Sequence, residues 1–291
     1  MNAQSGLQGS VSGGLPGIAG DRHGRATRRL ENNHCWIEFL ATGGPRIVGF
    51  GLAGAPNLLA ETPDVSWDSG HGNFELVGGH RLWFAPETPE CSVPDSSGLE
   101  LSGIEGGIRL IGAIQAPTGL RKSIDIRLDP DSAAVSLRHV IRNEGQKTLE
   151  LAAWPITQLK PGGVASVELP KKAQTHVVTP NRCLVLWPYA SWSDPRLTID
   201  DGLLTVAALP DEPFKIGCLS HAGSVSYLLE GVLFVKSFDP SLGSPHADFG
   251  CNMEIYSDRG AIELESLGPL GQLKPGESAI HDERWDIRLQ G

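Results

Sequence analysis

The chain has 291 residues, of which 40% are hydrophobic, so it is long enough and apolar enough to bury a large core. Its formal net charge of −10 argues against a surface made for nucleic acid or for a polybasic membrane contact, and neither partner is expected. The five cysteines are scattered and odd in number, which favours a reducing compartment over a disulfide framework or a zinc knuckle.

The N-terminal segment is rich in Gly and Ser and contains few residues that would be buried. We predict a disordered tail over residues 1–30 and a single domain over residues 31–291. The start of the chain does not resemble a secretory signal, and no apolar run is long enough to span a bilayer. These features predict a cytoplasmic protein.

Beyond the tail, short apolar runs such as "CWIEFL", "SIDIRL" and "AIELESL" are separated by clusters of Gly, Pro, Asn and Asp. Several runs alternate apolar and polar residues with period two, as strands with one wet face do. No window carries a sustained helical pattern, and there is no repeat of fixed period. The sequence predicts an all-β fold, a large antiparallel β-sandwich, with a barrel as the alternative.

The first candidate for a binding segment is "LVGGHRLWFAPETPEC", residues 76–91. Alternation along a strand places His80 on one face and Arg81 and Trp83 on the other. A cation beside an indole suits a sugar ring, because the apolar side of the ring stacks on Trp while Arg donates hydrogen bonds to oxygens. The alternative is that Trp83 belongs to the core and Arg81 pairs with Glu87 at a strand end.

Two aromatic-rich segments follow later in the chain. In "AAWPITQLKPGG", Trp154 and Lys160 come at the end of a long strand, and in "LVLWPYASWSDPRL" Trp187 lies in a proline-rich loop. Aromatic side chains in such loops form carbohydrate platforms or simply cover the ends of a sandwich. Both interpretations stay open at this point.

Two lysines lie within apolar strands, Lys215 in "PFKIGCL" and Lys236 in "GVLFVKSF". Each ammonium either reaches solvent along the strand or faces a polar cavity. Two such lysines favour an anionic ligand.

The C-terminal strands carry paired acidic residues. Glu254 shares a strand face with Tyr256, and Glu263 shares one with Glu265. Neighbouring carboxylates raise one another's pKa, which suits a general base or acid near neutral pH, although a solvent-facing edge strand gives the same pattern. The histidines show no spacing typical of a metal site, so no metal is predicted.

The order of these segments resembles the galactose mutarotase-like superfamily, and more closely its DUF4380 branch of bacterial proteins. The resemblance is carried by "GGHRLWFAPE" and "LESLGPLGQLKPGES" and covers about residues 33–289. It implies a β-supersandwich whose curved sheet offers a concave face to a saccharide.

In aldose epimerases similar to this chain, a histidine donates a proton to the ring oxygen and a late glutamate accepts the anomeric hydroxyl proton. Glu263 or Glu265 matches that glutamate. The histidine position carries Trp154, which cannot donate a catalytic proton, so the resemblance leaves His80, Lys215 or Lys236 to replace it.

Together these observations predict a pocket for a small-molecule carbohydrate, acidic or phosphorylated because of its cations, and a protein that needs no cofactor. The predicted reaction is epimerisation or mutarotation by metal-free acid–base catalysis. The alternatives are a non-catalytic carbohydrate-binding or sensing module and a polysaccharide lyase or hydrolase. The predicted catalytic residues are Glu265, Glu263 and His80, and the predicted substrate-binding residues are Arg81, Trp83, Glu87, Trp154, Lys160, Trp187, Lys215, Lys236, Glu254 and Tyr256.

Overall fold

The structure is a computed structural model that describes residues 15–171, 176 and 178–290. Within these residues nearly all regular structure is β, and the one helical element is a 3₁₀ turn over Pro89–Ser92. No helix in this part of the chain combines the length and the apolar character needed to cross a bilayer. The strands are β1 (Ile18–Arg22), β2 (Arg25–Glu31), β3 (Cys35–Leu40), β4 (Arg46–Leu52), β5 (Glu61–Asp68), β6 (Asn73–Gly78), β7 (His80–Ala85), β8 (Glu100–Ile104), β9 (Gly107–Gln115), β10 (Leu120–Leu128), β11 (Ala134–Asn143), β12 (Leu149–Leu159), β13 (Val164–Glu168), β14 (Leu184–Leu186), β15 (Leu197–Ile199), β16 (Leu203–Ala207), β17 (Phe214–Cys218), β18 (Ser224–Leu229), β19 (Val232–Phe238), β20 (Met253–Ser257), β21 (Ile262–Ser266), β22 (Gly271–Leu273) and β23 (Ser278–Leu289).

Two large antiparallel sheets form a sandwich, so the predicted fold class is confirmed. The front sheet has eleven strands in the order β1-β2-β3-β4-β7-β12-β21-β20-β17-β14, with β22 also paired to β12. The back sheet has ten strands in the order β15-β16-β13-β18-β19-β23-β11-β10-β9-β8. A separate hairpin, β5-β6, completes the set.

The hydrophobic core lies between the two sheets, because the strands alternate apolar and polar side chains. On β21, Ile262 and Leu264 are buried in the core while the glutamates between them point to the other face. Aromatic residues of both sheets meet in the core, where the rings of Phe50 and Phe234 each lie within 5.5 Å of the Trp285 ring centroid. The front sheet therefore has an inner face toward the core and an outer face that carries polar residues.

Two consecutive glycines bring β7 into register beside β4 and β12. Gly78 and Gly79 both have positive φ, +91° and +71°. A Cβ at Gly79 would lie 2.1 Å from the carbonyl oxygen of Ile47, so no other residue fits. The glycines fix which faces of the sheet the side chains after them occupy.

The predicted disordered tail is wrong for residues 18–30. β1 and β2 form a hairpin whose second strand pairs with β3 and extends the front sheet. The sequence signal was missed because this hairpin has one buried side chain, Thr27, and its polar residues are held by ion pairs such as Arg22–Glu38. Residues 1–14 of the predicted tail lie outside the described residues.

Candidate functional site

Central strands of the front sheet bring distant residues together on its outer face. Gln158 of β12 lies directly opposite Glu263 of β21, and Glu265 lies opposite Glu254 of β20. One strand further along, Lys215 of β17 pairs with Tyr256. Because residues opposite one another in a ladder share a face, these side chains form one cluster, which we call the outer cluster.

Lys215 is the centre of one half of the outer cluster. Its Nζ lies 2.7 Å from Oε2 of Glu254 and 2.9 Å from Oε2 of Glu265. The indole rings of Trp154 and Trp187 flank the ammonium, with centroids at 4.7 and 4.6 Å. Two carboxylates and two aromatic faces therefore hold one cation in a fixed position.

Arg81 is the centre of the other half. Its Nη2 donates to Oε1 of Glu263 at 3.1 Å, and Nε2 of Gln158 donates to the same oxygen at 2.7 Å. The guanidinium also stacks on Trp83, 4.5 Å from the ring centroid. The predicted pairing of a cation and an indole on one face of β7 is what the structure shows, and the alternative pair with Glu87 is absent.

An edge-to-face contact joins the two halves. The Trp83 and Trp154 rings meet with centroids 5.7 Å apart, and Nε1 of Trp154 donates to Oε2 of Glu265 at 2.8 Å. Trp154 therefore orients one of the two carboxylates that the resemblance offers for proton transfer.

Several polar atoms of the outer cluster are buried without a hydrogen-bond partner among the described residues. They are donors and acceptors in close proximity: Nε and Nη1 of Arg81, Oε1 of Gln158, Oε1 of Glu254 and Oε1 of Glu265. Buried polar groups are almost always paired, so such a concentration indicates a position for a ligand or for ordered water.

Burial determines the protonation of this cluster. It raises the pKa of Glu254 well above the usual glutamate range, although Lys215 acts in the opposite direction. Burial also raises the pKa of Glu263, against the lowering effect of Arg81. For Lys215, burial lowers the pKa, but the carboxylates of Glu265 and Glu254 outweigh it and raise the pKa. The charged form of Lys215 is therefore favoured, whereas burial favours the protonated form of Glu254.

The segment after β14 covers the cluster. Trp187 contacts the Lys215 ammonium, and the neighbouring Tyr189 is half exposed above it. Burial raises the pKa of Tyr189 to about 12, and Lys215, Glu265 and Glu87 all act on it electrostatically. Trp187 and Tyr189 therefore lie beside the Lys215 half of the outer cluster.

Two predicted pocket residues lie on the opposite side of the sheet. His80 and Lys236 are fully buried on the inner face, between the sheets. The reason is the strand period, which sends His80 to the side away from Arg81, and the position of Lys236 on β19 of the back sheet. The expectation that both lysines and His80 share one pocket with the late glutamates is therefore corrected.

These two residues belong to a second group, which we call the inner network. Oε1 of Glu283 lies 2.8 Å from Nζ of Lys236 and accepts a hydrogen bond from Ser266, while its Oε2 accepts from Trp285. Lys236 also donates to the backbone oxygen of Leu264 at 2.9 Å, which connects the back sheet to the front sheet.

Hydrogen bonds occupy the ring nitrogens of the neighbouring imidazoles. Nδ1 of His80 contacts Oγ1 of Thr157 at 2.9 Å, its Nε2 contacts Nε2 of His139 at 2.8 Å, and Nδ1 of His139 donates to the backbone oxygen of His281. His80, His139 and Glu283 have ligand atoms within 4.8 Å of one another, close enough for a metal ion. However, the Lys236 ammonium beside Glu283 already neutralises the carboxylate and would repel a cation.

The remaining predicted residues are peripheral. Glu87 is exposed, and Lys160 is half buried with contacts formed through its backbone to Leu58 and Tyr227. The hydroxyl of Tyr256 donates to Asp258 at 3.1 Å, at the margin of the outer cluster.

Two residues of the polar groups are missing from the predicted site. Gln158 of "AAWPITQLKPGG" contacts Glu263, and the local signal is its spacing of two strand periods from Trp154 on β12. His139 was predicted on the wet face of its strand and is completely buried. The strand period shows this, because it places His139 on the same face as the buried Leu137 and Ile141.

Comparisons with known structures support the fold. No protein-family model matches the chain, and no curated protein matches it. A galactose mutarotase-like protein from Lactobacillus casei ATCC 334 is 11% identical, with a TM-score of 0.60 over 90% of this chain and 100% of that one. A proposed aldose 1-epimerase from Escherichia coli K12 is 13% identical, with a TM-score of 0.56 over 90% and 99%.

A TPR-domain containing protein from Parabacteroides distasonis ATCC 8503 is also similar, with 13% identity and a TM-score of 0.62. The match covers 90% of this chain and 47% of that protein, so the chain spans about half of its length. At these identities the comparisons establish a mutarotase-like β-sandwich and leave the chemistry to the site itself.

Proposed function

We propose that the protein binds a carbohydrate on the outer face of the front sheet. The observation that carries this proposal is the set of unpaired donors and acceptors in the outer cluster, on Arg81, Gln158, Glu254 and Glu265. A polyhydroxylated ring satisfies both kinds of atom, because each hydroxyl donates and accepts. The indoles of Trp83 and Trp154 offer apolar surface beside those atoms.

The charges favour a neutral sugar over the acidic or phosphorylated ligand that the sequence predicted. With Lys236 on the inner face, Arg81 and Lys215 are the cations of the cluster, and both are already paired with carboxylates. An added anion would face Glu263 and Glu265 and would lose its hydration without gaining a free cation.

For the reaction, we propose mutarotation or epimerisation with Glu265 as the base and Glu254 as the acid. Oε1 of Glu265 is free to accept the anomeric hydroxyl proton, while Trp154 and Lys215 hold its other oxygen. Burial favours the protonated form of Glu254, which supports a role for this residue as the proton donor to the ring oxygen. It takes the role that Trp154 cannot fill. His80 lies on the other face, and Lys215 holds its proton too tightly.

The test is NMR exchange between the anomers of galactose and glucose, with wild type, Glu265→Gln and Glu254→Gln. We expect both variants to lose activity by at least about 100-fold, the range that proton transfer contributes. The exposed Glu150→Gln on β12 is the matched control and should leave the rate unchanged. Equal rates in wild type and Glu265→Gln would remove the enzymatic proposal.

A non-catalytic sugar-binding module is the second candidate, and Trp154 favours it. By the resemblance, Trp154 replaces the histidine of the aldose epimerases, and its indole N–H donates to Glu265. This candidate predicts that wild type binds sugars without accelerating anomer exchange. The relationship to DUF4380 and the cytoplasmic location stay predictions of the sequence.

A further inference from the structure

A separate cavity lies at one end of the sandwich, on the side of β7 away from Trp83. Its volume is about 370 Å³, within the usual range for small-molecule sites. The walls come from the turn at 44–45, from His71, from residues 93–97, and from the end of β9 with the turn that follows it, at 112–117. Most of these walls are apolar.

The polar group that reaches the cavity from its floor is Lys122. The residue is only 7% exposed, and its ammonium forms no hydrogen bond or ion pair with any of the described residues. The Phe84 ring is a neighbour, with its centroid 5.5 Å from Nζ. An ammonium on a largely buried side chain that lacks a counter-ion is unfavourable, so a ligand that pairs with it would stabilise the protein.

The strand period gives this side chain its direction. Lys122 lies on the same face of β10 as the buried Leu120 and Ile124. The pairing with β9 is irregular opposite Lys122, where two residues of β9, Gly112 and Ala113, oppose one of β10 and line the cavity. The strand therefore directs a cation toward the cavity.

No acidic group of the cavity is free to neutralise Lys122. Asp95 lines the cavity, but Arg46 already binds its two oxygens at 3.0 and 3.2 Å from Nη2. Burial lowers the pKa of Lys122 to about 8, with Arg46 and Arg81 acting in the same direction and Cys91 and Asp95 in the opposite one.

We propose that this cavity binds a small organic carboxylate, which pairs with Lys122 while its apolar part lies against Pro45, Val93 and Pro94. A monocarboxylate matches the single unpaired cation. Phosphate fits less well, because phosphate sites surround the anion with several charged donors or backbone N–H groups, and Lys122 is the one ammonium or guanidinium among the residues that line this cavity. The other polar residues of the lining are His71, Asp95, Ser97 and Gln115.

The experiment is a titration followed by ligand-detected NMR, with butyrate, butanol and phosphate as probes at constant ionic strength. We expect butyrate to bind wild type at least tenfold more tightly than butanol, which has a similar body without the charge, and more tightly than phosphate. This comparison needs no variant. Equal affinity for butyrate and butanol, tighter binding of phosphate, or no binding of butyrate would each overturn the proposal.

Variants then assign the binding to the residue. Lys122→Met should weaken butyrate at least tenfold, and the exposed Lys274→Met should leave its affinity unchanged. Methionine suits the apolar surroundings, so the variant should fold, and its melting temperature checks this. Unchanged butyrate affinity in a folded Lys122→Met protein would contradict the assignment.

Discussion

Two adjacent residues of β12 belong to the two polar groups of the protein, which differ in how completely their atoms are hydrogen-bonded. Thr157 belongs to the inner network and Gln158 to the outer cluster, and both groups combine buried cations with buried carboxylates. In the inner network, the side-chain nitrogens and oxygens of His80, His139 and Glu283 all have partners. In the outer cluster, four polar residues each retain a buried side-chain atom without a hydrogen-bond partner among the described residues: Arg81, Gln158, Glu254 and Glu265.

This difference separates structure from function. A fully paired network joins the two sheets, and a ligand would add no hydrogen bond to it. In an incompletely paired network, the unpaired atoms remain energetically unfavourable until a ligand binds them. The comparison also shows why buried charge alone does not identify a binding site. Lys236 and Lys215 look alike in the sequence, and only their partners distinguish them.

The largest effect is expected from breaking the inner network at Glu283. Glu283→Gln leaves the Lys236 ammonium between the sheets without its counter-ion and should lower the free energy of unfolding by about 3–5 kcal/mol. Urea unfolding measures the change, with the exposed Glu168→Gln as control. A loss below about 1 kcal/mol would mean that this ion pair does not hold the sheets together.

The second-largest effect is expected from acidification, which should destabilise the inner network. Burial lowers the pKa of His281 to about 4 and also lowers that of His139, so the folded state holds these rings neutral while the unfolded chain protonates them. The unfolded state then binds more protons, and stability falls as the pH drops from about 7 to about 5.

His281 should contribute about 2 kcal/mol to that fall. In His281→Asn the acid-induced loss should therefore be smaller by about that amount, whereas the exposed His34→Asn should behave as wild type. Urea unfolding at both pH values gives the numbers. Identical pH dependence in wild type and His281→Asn would show that this ring is not held neutral.

The sequence predicts the fold and half of the site for a clear reason. Period-two alternation places Arg81 with Trp83, and Glu263 with Glu265, on common faces, because those relations are local to one strand. Which strands become neighbours is not local. Lys215 contacts Glu265, 50 residues later in the chain, only because β17, β20 and β21 are neighbours in the front sheet. Lys236 is separated from these glutamates because β19 pairs into the back sheet.

The most direct test of the account uses the two adjacent residues on opposite faces. Gln158→Leu removes the side-chain amide from the outer cluster. Thr157→Val replaces a hydroxyl of the inner network by a methyl group of similar size. Isothermal titration with galactose, glucose and glucuronate should show that neutral hexoses bind wild type more tightly than the uronate. Gln158→Leu should weaken hexose binding at least tenfold, or about 1.4 kcal/mol, while Thr157→Val should change it less than about twofold. Equal losses in the two variants, or tighter binding of glucuronate, would contradict the claim that a neutral sugar completes the outer cluster.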